Sequence, residues 1–205
     1  MLQALIQRAA LLAAQPGRSL LGIAGAPGAG KSTLATALAG AIPGAVVVPM
    51  DGFHLTTAAL TAHGWVAERG TPRTFDAVGY VGLLRALRAD GPVLAPAFDR
   101  SREEPVPDAI AVADDVPLVI TEGNYLLLES APWAPVRALL DEVWFVEVDE
   151  NVRVARLVER HVRFGRTRDA ARHRATVGSD ADNARLVAAT RSRADLIVDT
   201  AELRA

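Results

Sequence analysis

The chain has 205 residues, with 22 basic and 24 acidic side chains, a formal net charge of −2 and no cysteine. The lack of cysteine excludes disulfides, thiolate catalysis and cysteine-ligated zinc. The slightly negative charge gives no general attraction to nucleic acid or to an anionic membrane, so we expect a small-molecule substrate and neither of those partners. A chain of this length buries roughly 70% of its unfolded surface on folding, and we interpret residues 1–205 as a single domain.

The first predicted element is an amphipathic surface helix over residues 1–14, where Leu5 and Leu12 fall on one helical face. No apolar run in the chain reaches the roughly 18 residues that a membrane span needs. We therefore expect a protein of the cytoplasm that does not associate with membranes.

Short apolar segments further along the chain are predicted as buried strands. They are Leu20–Ala24, Val46–Met50, Leu118–Thr121, Val143–Val148 and Leu196–Val198. Helical patterns lie between most of them, at Lys31–Ala41, Asp76–Ala89, Asp149–Phe164 and Asp182–Arg193. This alternation predicts an α/β fold with a five-stranded, doubly wound parallel sheet and helices on both faces.

Two stretches, residues 51–75 and 91–116, break the alternation because they are rich in Gly, Pro, Thr and charge and show little periodicity. Long irregular loops in a compact domain are usually functional. Both stretches are predicted near the carboxyl edge of the sheet, where open α/β sheets bind ligands. We expect them to form the substrate side of a site.

The segment after the first predicted strand has the phosphate-binding pattern Gly-x-x-x-x-Gly-Lys-Ser, in the strand–loop–helix context that this P-loop requires. We expect nucleotide phosphates to contact Gly25, Ala26, Pro27, Gly28, Ala29, Gly30, Lys31, Ser32 and Thr33. In this pattern the lysine reaches the β- and γ-phosphates, and the serine hydroxyl binds Mg²⁺. Lys31 is the only lysine among the 22 basic residues, so a compact ammonium is retained here in an otherwise arginine-only chain.

Two acidic residues follow predicted strands at the same edge of the sheet. Asp51 ends the second strand, and Glu122 ends the third. A carboxylate in either position could coordinate Mg²⁺, and Asp51 could also accept the proton of an alcohol. The alternative for Asp51 is a turn or helix cap, and for Glu122 a solvated strand end.

Arginine is concentrated in residues 153–176, which we interpret as a helical lid. Arg156, Arg160 and Arg163 fall on one helical face. Guanidinium groups on a mobile helix would supply positive charge to a migrating phosphoryl group as the lid closes. A nucleic-acid groove is the competing interpretation, but the chain lacks net positive charge and interleaved aromatic residues.

The sequence resembles the uridine kinase, pantothenate kinase and phosphoribulokinase group of P-loop kinases. Five segments carry the resemblance, in the order of that group: Val48–His54 (VPMDGFH), Arg69–Asp76 (RGTPRTFD), Glu122–Tyr125 (EGNY), Arg160–Phe164 (RHVRF) and Thr190–Ile197 (TRSRADLI). The likeness is closer to short bacterial kinases described as nucleoside/nucleotide kinase-like or fructose-transport-associated than to either named enzyme. This chain has His54-Leu-Thr-Thr where pantothenate kinase continues with Tyr-Pro-Asn, and it has Pro96-Ala-Phe-Asp99-Arg100-Ser-Arg in place of the aromatic-rich segment and histidine of uridine kinase. The substrate of neither named enzyme therefore transfers directly to this chain.

The resemblance implies ATP and Mg²⁺ as cofactors and assigns roles to individual residues. It implies that Asp51 is the catalytic base, that Glu122 supports Mg²⁺, and that Lys31 and Arg160 assist transfer. It places Arg191 near the nucleotide. It also implies an acceptor pocket that contains His54, Arg73, Asp99, Arg100 and Tyr125. A homodimer is common in the resembling group.

The leading hypothesis is a kinase that transfers the γ-phosphoryl group of ATP to a hydroxyl of a small metabolite, with a sugar or nucleoside ahead of a pantothenate-like alcohol. A GTP-dependent switch or metal chaperone is a rival, but guanine recognition by Asn-Lys-x-Asp is absent because Lys31 is the only lysine. An ATP-binding module without catalysis is a third alternative, against which the presence of Asp51 and Glu122 counts.

Overall fold

The computed structural model describes residues 1–89 and 91–201. Its strands are β1 (Ser19–Gly25), β2 (Val46–Pro49), β3 (Val93–Asp99), β4 (Glu104–Val112), β5 (Leu118–Gly123), β6 (Glu142–Glu147) and β7 (Leu196–Asp199). Its α-helices are α1 (Leu2–Ala13), α2 (Lys31–Ala41), α3 (Thr57–His63), α4 (Ala77–Arg88), α5 (Glu150–Arg163), α6 (Arg168–Thr176) and α7 (Ser179–Ala188).

The main sheet has five parallel strands in the order β2-β5-β1-β6-β7. The five predicted strands are the strands of this sheet, so the predicted α/β fold is confirmed. Glu122 of β5 lies between its two neighbours in register, opposite Ile23 of β1 and Pro49 of β2. This register brings the P-loop, Asp51 and Glu122 to one edge of the sheet, as expected for carboxyl ends of parallel strands.

Helices cover both faces of the sheet, because side chains alternate along each strand. Leu20 of β1 belongs to a core that includes Leu84 of α4. Leu21, its neighbour in sequence, belongs to the opposite core, together with Leu5 of α1 and Leu34 of α2. None of the helices in the two described ranges is long and apolar enough to cross a membrane.

The prediction that residues 91–116 are irregular is wrong, because most of this stretch forms the antiparallel hairpin β3–β4. Its prolines suppressed the strand pattern in the sequence. A two-stranded ladder tolerates them, since each strand keeps one free edge. Pro96 lies where the register shifts between Ala95 and Ala97, and Pro105 pairs with Phe98 near the turn.

Two further boundaries differ from the prediction. The stretch 51–75 contains the short helix α3, which Thr56 caps through its side chain and which ends at Gly64 with a φ of 71°. The last predicted helix, Asp182–Arg193, begins and ends earlier as α7, and a separate 3-10 turn covers Arg191–Arg193. The arginine-rich region 153–176 forms two helices, α5 and α6.

Candidate active site

The P-loop joins the end of β1 to the start of α2. At Gly25, where φ is 149°, an added Cβ would lie 2.4 Å from the backbone oxygen of Val146, so only glycine fits. Gly30 precedes α2 with a φ of 107°. The helix therefore begins at Lys31, and its unpaired N-terminal amides lie at the carboxyl edge of the sheet, an arrangement that binds phosphate.

Lys31 is buried beneath the P-loop, with 8% of its surface exposed. Its ammonium donates hydrogen bonds to the backbone oxygens of Gly25 at 3.0 Å and Ala26 at 3.1 Å. A third bond of 2.8 Å goes to the side-chain oxygen of Asn124. Burial lowers the pKa of Lys31 to about 8, although Glu122 and Asp51 oppose the shift.

Asn124 is a site residue that the sequence interpretation did not single out. It follows Glu122 by two positions, and its amide oxygen accepts a hydrogen bond from the ammonium of Lys31. Its place just beyond a strand end in the segment EGNY was a usable signal. The residue predicted from this segment was its neighbour Tyr125.

The two predicted acidic residues lie at the same site with different proton affinities. Glu122 is buried and accepts a hydrogen bond of 2.8 Å from the Ser32 hydroxyl. Burial and the nearby Asp51 carboxylate raise the pKa of Glu122. Burial also acts to raise the pKa of Asp51, but His54, Arg100 and Lys31 outweigh it and hold that pKa below the usual value.

This arrangement fits a magnesium ion that is shared with a nucleotide. Ser32 and Glu122 supply hard oxygen ligands, and the neighbouring Asp51 carboxylate adds negative charge that a cation would balance. Within residues 1–89 and 91–201 no three His, Cys, Asp or Glu side chains form a closed metal cage. Mg²⁺ usually binds through one or two carboxylates plus phosphate oxygens, so an open set of this kind suits it.

Asp51 faces the turn of the β3–β4 hairpin. Its carboxylate accepts a hydrogen bond of 2.6 Å from Arg100, one of the predicted acceptor contacts. His54 lies 2.8 Å from the backbone oxygen of Asp51 through Nδ1, and burial lowers the pKa of His54. The His54 ring packs against Phe75 and Phe98, with centroid distances of 4.0 and 4.4 Å. The predicted base therefore has a cation on one side and an aromatic wall on the other.

The three predicted lid arginines occupy different environments. Arg160 lines the cavity beside the P-loop, and burial together with the positive charge of Arg100 lowers its pKa. Arg156 donates to the backbone oxygens of Gly28 at 3.5 Å and Ala29 at 3.3 Å. Arg163 is exposed and does not line the cavity. Of these three arginines, only Arg160 lines the cavity.

Arg153 fixes the lid to the P-loop, a role that the sequence interpretation did not assign. Its side chain is 4% exposed and pairs with Glu150 at 2.5 Å. It also donates to the backbone oxygen of Pro27 at 3.3 Å. Its position in the first turn of α5, shortly after β6, could have indicated this contact with the P-loop. The predicted lid face instead begins one turn later, at Arg156.

These groups surround a cavity of about 740 Å³ between the P-loop, the hairpin turn, the 51–75 stretch and the lid. Of the predicted residues, the structure brings together Pro27, Lys31, Ser32, Asp51, His54, Arg100, Glu122 and Arg160 on its walls. Additional charged residues line it that were not predicted as site residues: Arg69, Arg102, Glu103, Arg166, Arg174 and Asp180. The cavity is large enough for a nucleotide and a small acceptor.

Three predicted acceptor contacts do not line this cavity. Arg73 is exposed, pairs with Glu68 and lies over the ring of Trp65. Asp99 closes the hairpin turn by accepting bonds from the backbone amides of residues 101 and 102 and from a serine hydroxyl. Tyr125 is fully buried in the core and donates to a backbone oxygen at 2.5 Å. The structure thus gives these three side chains structural partners in place of the predicted substrate contact.

Two predicted nucleotide contacts that follow Ser32 in the chain lie off the cavity walls, as do the P-loop residues Gly25, Ala26, Gly28, Ala29 and Gly30. Thr33 is exposed in the first turn of α2. Arg191 pairs with Glu147 at the end of β6, with nitrogen–oxygen distances of 2.7 and 3.1 Å. The hydrogen bond and charge of Arg191 lower the pKa of Glu147. Contact of either residue with the nucleotide stays a prediction.

The parallel sheet, the P-loop with its buried lysine and the paired acids at neighbouring strand ends define a P-loop kinase. Residues 20–204 match the Phosphoribulokinase / Uridine kinase family, and the chain belongs to that family. It is therefore a kinase that uses ATP. This confirms the expected kinase class and, with it, the expected nucleotide.

Relatives from several organisms agree with this assignment. The ATP-dependent kinase-like protein notR' of Aspergillus versicolor is 43% identical over 136 residues, 61% of this chain and 79% of that protein. A Schizosaccharomyces pombe protein provisionally described as a uridine kinase is 37% identical over 173 residues, 78% and 74% of the two chains. The crystal structure of a Silicibacter sp. TM1040 protein, provisionally described as a fructose transport system kinase, matches with a TM-score of 0.88 and 40% identity. The match covers 97% of this chain and 98% of the Silicibacter chain.

The low pKa of Lys31 predicts how ATP binding depends on pH. The ammonium is charged below about pH 8 and attracts phosphate, but it loses its proton as the pH rises further. The dissociation constant for ATP is therefore expected to rise by about tenfold per pH unit above this pKa. At a pH near the pKa of Lys31, ATP binding should be accompanied by the uptake of a proton. Calorimetry in buffers of different ionisation enthalpy measures both quantities. A pH-independent affinity between about pH 7 and pH 9 would contradict the prediction, and Lys31→Met is the control that should lack the dependence.

Proposed function

We propose that the protein is a Mg²⁺-dependent kinase that transfers the γ-phosphoryl group of ATP to a hydroxyl of a small metabolite, a sugar or a nucleoside. The observation that carries the proposal is that Asp51, an ionised carboxylate, lines the same cavity as Lys31 and Arg160. A base for the acceptor and cations for the phosphate therefore face one space. A switch protein would need no such acceptor space beside its nucleotide.

In this proposal the P-loop amides and Lys31 bind the phosphates, and Ser32 with Glu122 would hold Mg²⁺. The ion would supply positive charge that offsets part of the negative charge of the phosphates. Asp51 accepts the proton of the acceptor hydroxyl while the oxygen forms a bond to the γ-phosphorus. The bond from that phosphorus to the β,γ-bridging oxygen breaks, and ADP leaves. Arg160 stabilises the charge on the transferring group.

In this proposal the acceptor hydroxyl binds where Arg100 now pairs with Asp51. Arg100 lies at the exposed hairpin turn, and its bond to Asp51 occupies a carboxylate oxygen. An acceptor hydroxyl that bonds to Asp51 can share this carboxylate or displace Arg100. His54, Phe75 and Phe98 also line the cavity, with the His54 ring tilted by 42° and 33° to the other two, and they supply aromatic surface for a sugar or a base.

The test is a screen for acceptor-dependent ADP release with purified protein, MgATP and a panel of sugars, nucleosides and vitamin alcohols. We expect release to depend on one acceptor class, and mass spectrometry to find that acceptor heavier by one phosphoryl group. Omission of the acceptor controls for ATP hydrolysis, and omission of Mg²⁺ should abolish the signal. ATP binding without transfer to any alcohol would instead support the catalytically silent alternative.

A further inference from the structure

Two arginines on the cavity wall, Arg69 and Arg174, are half-buried, and each has only a loose ion pair. The side chain of Arg69 is 14% exposed, and its nearest carboxylate oxygen, on Glu103, is 3.8 Å away. The side chain of Arg174 is 20% exposed, and its nearest carboxylate oxygen, on Asp180, is 3.7 Å away. Both distances exceed those of a hydrogen bond. A charge that is partly removed from water is best stabilised by a close counter-charge, so these loose ion pairs leave both guanidinium groups only partly neutralised.

Some other arginines of the chain have much closer carboxylates. Arg153, which is more deeply buried, has a carboxylate oxygen at 2.5 Å, and exposed Arg191 has one at 2.7 Å. Arg69 instead donates to two neutral oxygens, the backbone oxygen of Glu103 at 2.6 Å and the hydroxyl of Thr57 at 2.7 Å. These bonds fix its guanidinium but do not neutralise it.

The two guanidinium groups belong to one structural unit. Arg174 donates a bond of 2.8 Å to the backbone oxygen of Arg69, which joins α6 to the 51–75 stretch. The Nε of Arg174 is buried and has no hydrogen-bond partner. The Asp180 oxygen nearest to it accepts a bond of 2.6 Å from His161 and is therefore already engaged. Among the residues that the structure describes, both arginines keep N–H groups without a hydrogen-bond partner, and both residues line the cavity.

The surroundings add positive charge. Arg102 and Arg166 also line the cavity, and neither has a carboxylate within 4.0 Å in the part of the chain that the structure describes. The whole chain carries a net charge of −2, so this excess is local. The β3–β4 hairpin turn links this positive region to the proposed base. Arg100 in the turn donates to Asp51, and the backbone oxygen of Glu103 in the turn accepts a bond from Arg69.

We infer that Arg69 and Arg174 bind an anionic group of the acceptor, a carboxylate or a phosphate monoester, while its free hydroxyl lies at Asp51. The inference rests on the proposed kinase function and narrows the acceptor from neutral alcohols to alcohol acids or phosphorylated alcohols. Planar guanidinium groups match both anions through paired N–H donors. The triphosphate has its own cations in Lys31 and Arg160, so it does not need this pair.

Matched acceptors test the inference in the wild-type protein. Glucose, glucuronate and glucose 6-phosphate form one set, and uridine and uridine 5′-phosphate form another. We expect kcat/KM for the anionic members to exceed that of the neutral member by about tenfold or more, as expected for a charge-assisted contact. The carboxylate and phosphate arms show which anion is used. Equal kcat/KM for neutral and anionic members would overturn the inference and leave the kinase proposal intact, whereas no transfer to any acceptor would overturn both.

Variants test the two residues themselves. Arg69→Gln and Arg174→Gln should each remove about tenfold or more of the preference for the anionic acceptor, with the KM for ATP changed less than about twofold. Arg69→Lys keeps the charge without the planar fork and should restore part of the preference. Arg73→Gln and Arg172→Gln, at exposed positions off the cavity, are the matched controls.

Two results would contradict the assignment of these arginines. An equal loss for neutral and anionic acceptors would show a structural role, which the bond from Arg174 to the 51–75 stretch could supply. A rise in the KM for ATP with the acceptor preference unchanged would show that they bind the nucleotide. Melting temperatures of all variants identify any that are unfolded, and Arg69→Lys then decides the outcome because it retains the cation.

Discussion

Asp51→Asn is expected to lower kcat for phosphoryl transfer by about 10²- to 10⁴-fold, the range that general-base catalysis supplies. Asparagine keeps the shape of the side chain but cannot accept the proton. The other cavity acids are poor substitutes: Glu122 is bonded to Ser32, and Asp180 is bonded to His161. Glu103 is largely exposed and lies beside Arg69. No second base is therefore placed to replace Asp51 among these residues.

The measurement is kcat, KM for acceptor and dissociation constant for ATP, determined for the wild type and the variant. ATP affinity should change by less than about threefold, because an effect confined to the transition state lowers kcat without altering nucleotide binding. Asp99→Asn is the matched control, since Asp99 closes the nearby hairpin turn but does not line the cavity. Transfer by Asp51→Asn at a near-normal rate would remove Asp51 as the base. Loss of ATP binding would assign it mainly to the metal.

The sheet and the P-loop were predictable because their signals are local. A strand buried on both faces is a continuous apolar run, and the P-loop needs its glycines and lysine at fixed spacing. The hairpin β3–β4 was not predictable in this way. Its strands carry Pro96 and Pro105, which oppose strand formation in a central position but fit the free edges of a two-stranded ladder.

The acceptor side of the site depends on contacts between distant segments, which sequence patterns do not encode. Arg69 and Arg73 occur in one short stretch, yet the first lines the cavity and the second lies over the half-buried ring of Trp65. Asn124 and Tyr125 are adjacent, yet one orients Lys31 and the other enters the core. In an irregular segment no periodicity states which side chain faces the ligand, so residue type alone selected the wrong neighbour.

Lys31→Arg tests whether the single lysine of this chain is functional or accidental. The Lys31 ammonium fits among three oxygens, two from the P-loop backbone and one from Asn124. A guanidinium is larger and planar, and its fork cannot direct its donors at the same three oxygens. Overpacking at such a buried position typically costs about 1–3 kcal/mol. We expect kcat/KM for ATP to fall by about 10²- to 10³-fold, as for the loss of a preorganised charge contact.

The comparison with Lys31→Met separates charge from shape. Methionine removes the charge with little change in volume, so its loss in kcat/KM measures the charge alone. If Lys31→Arg loses as much as Lys31→Met, the geometry of the ammonium matters as much as its charge. Arg163→Lys, the reverse change at an exposed lid position, should leave kcat/KM and melting temperature unchanged. Full activity of Lys31→Arg would mean that the lysine is retained by chance. Burial lowers the pKa of Lys31 to about 8, whereas the pKa of an arginine stays far higher. Lys31→Arg should therefore also lose the pH dependence of ATP binding.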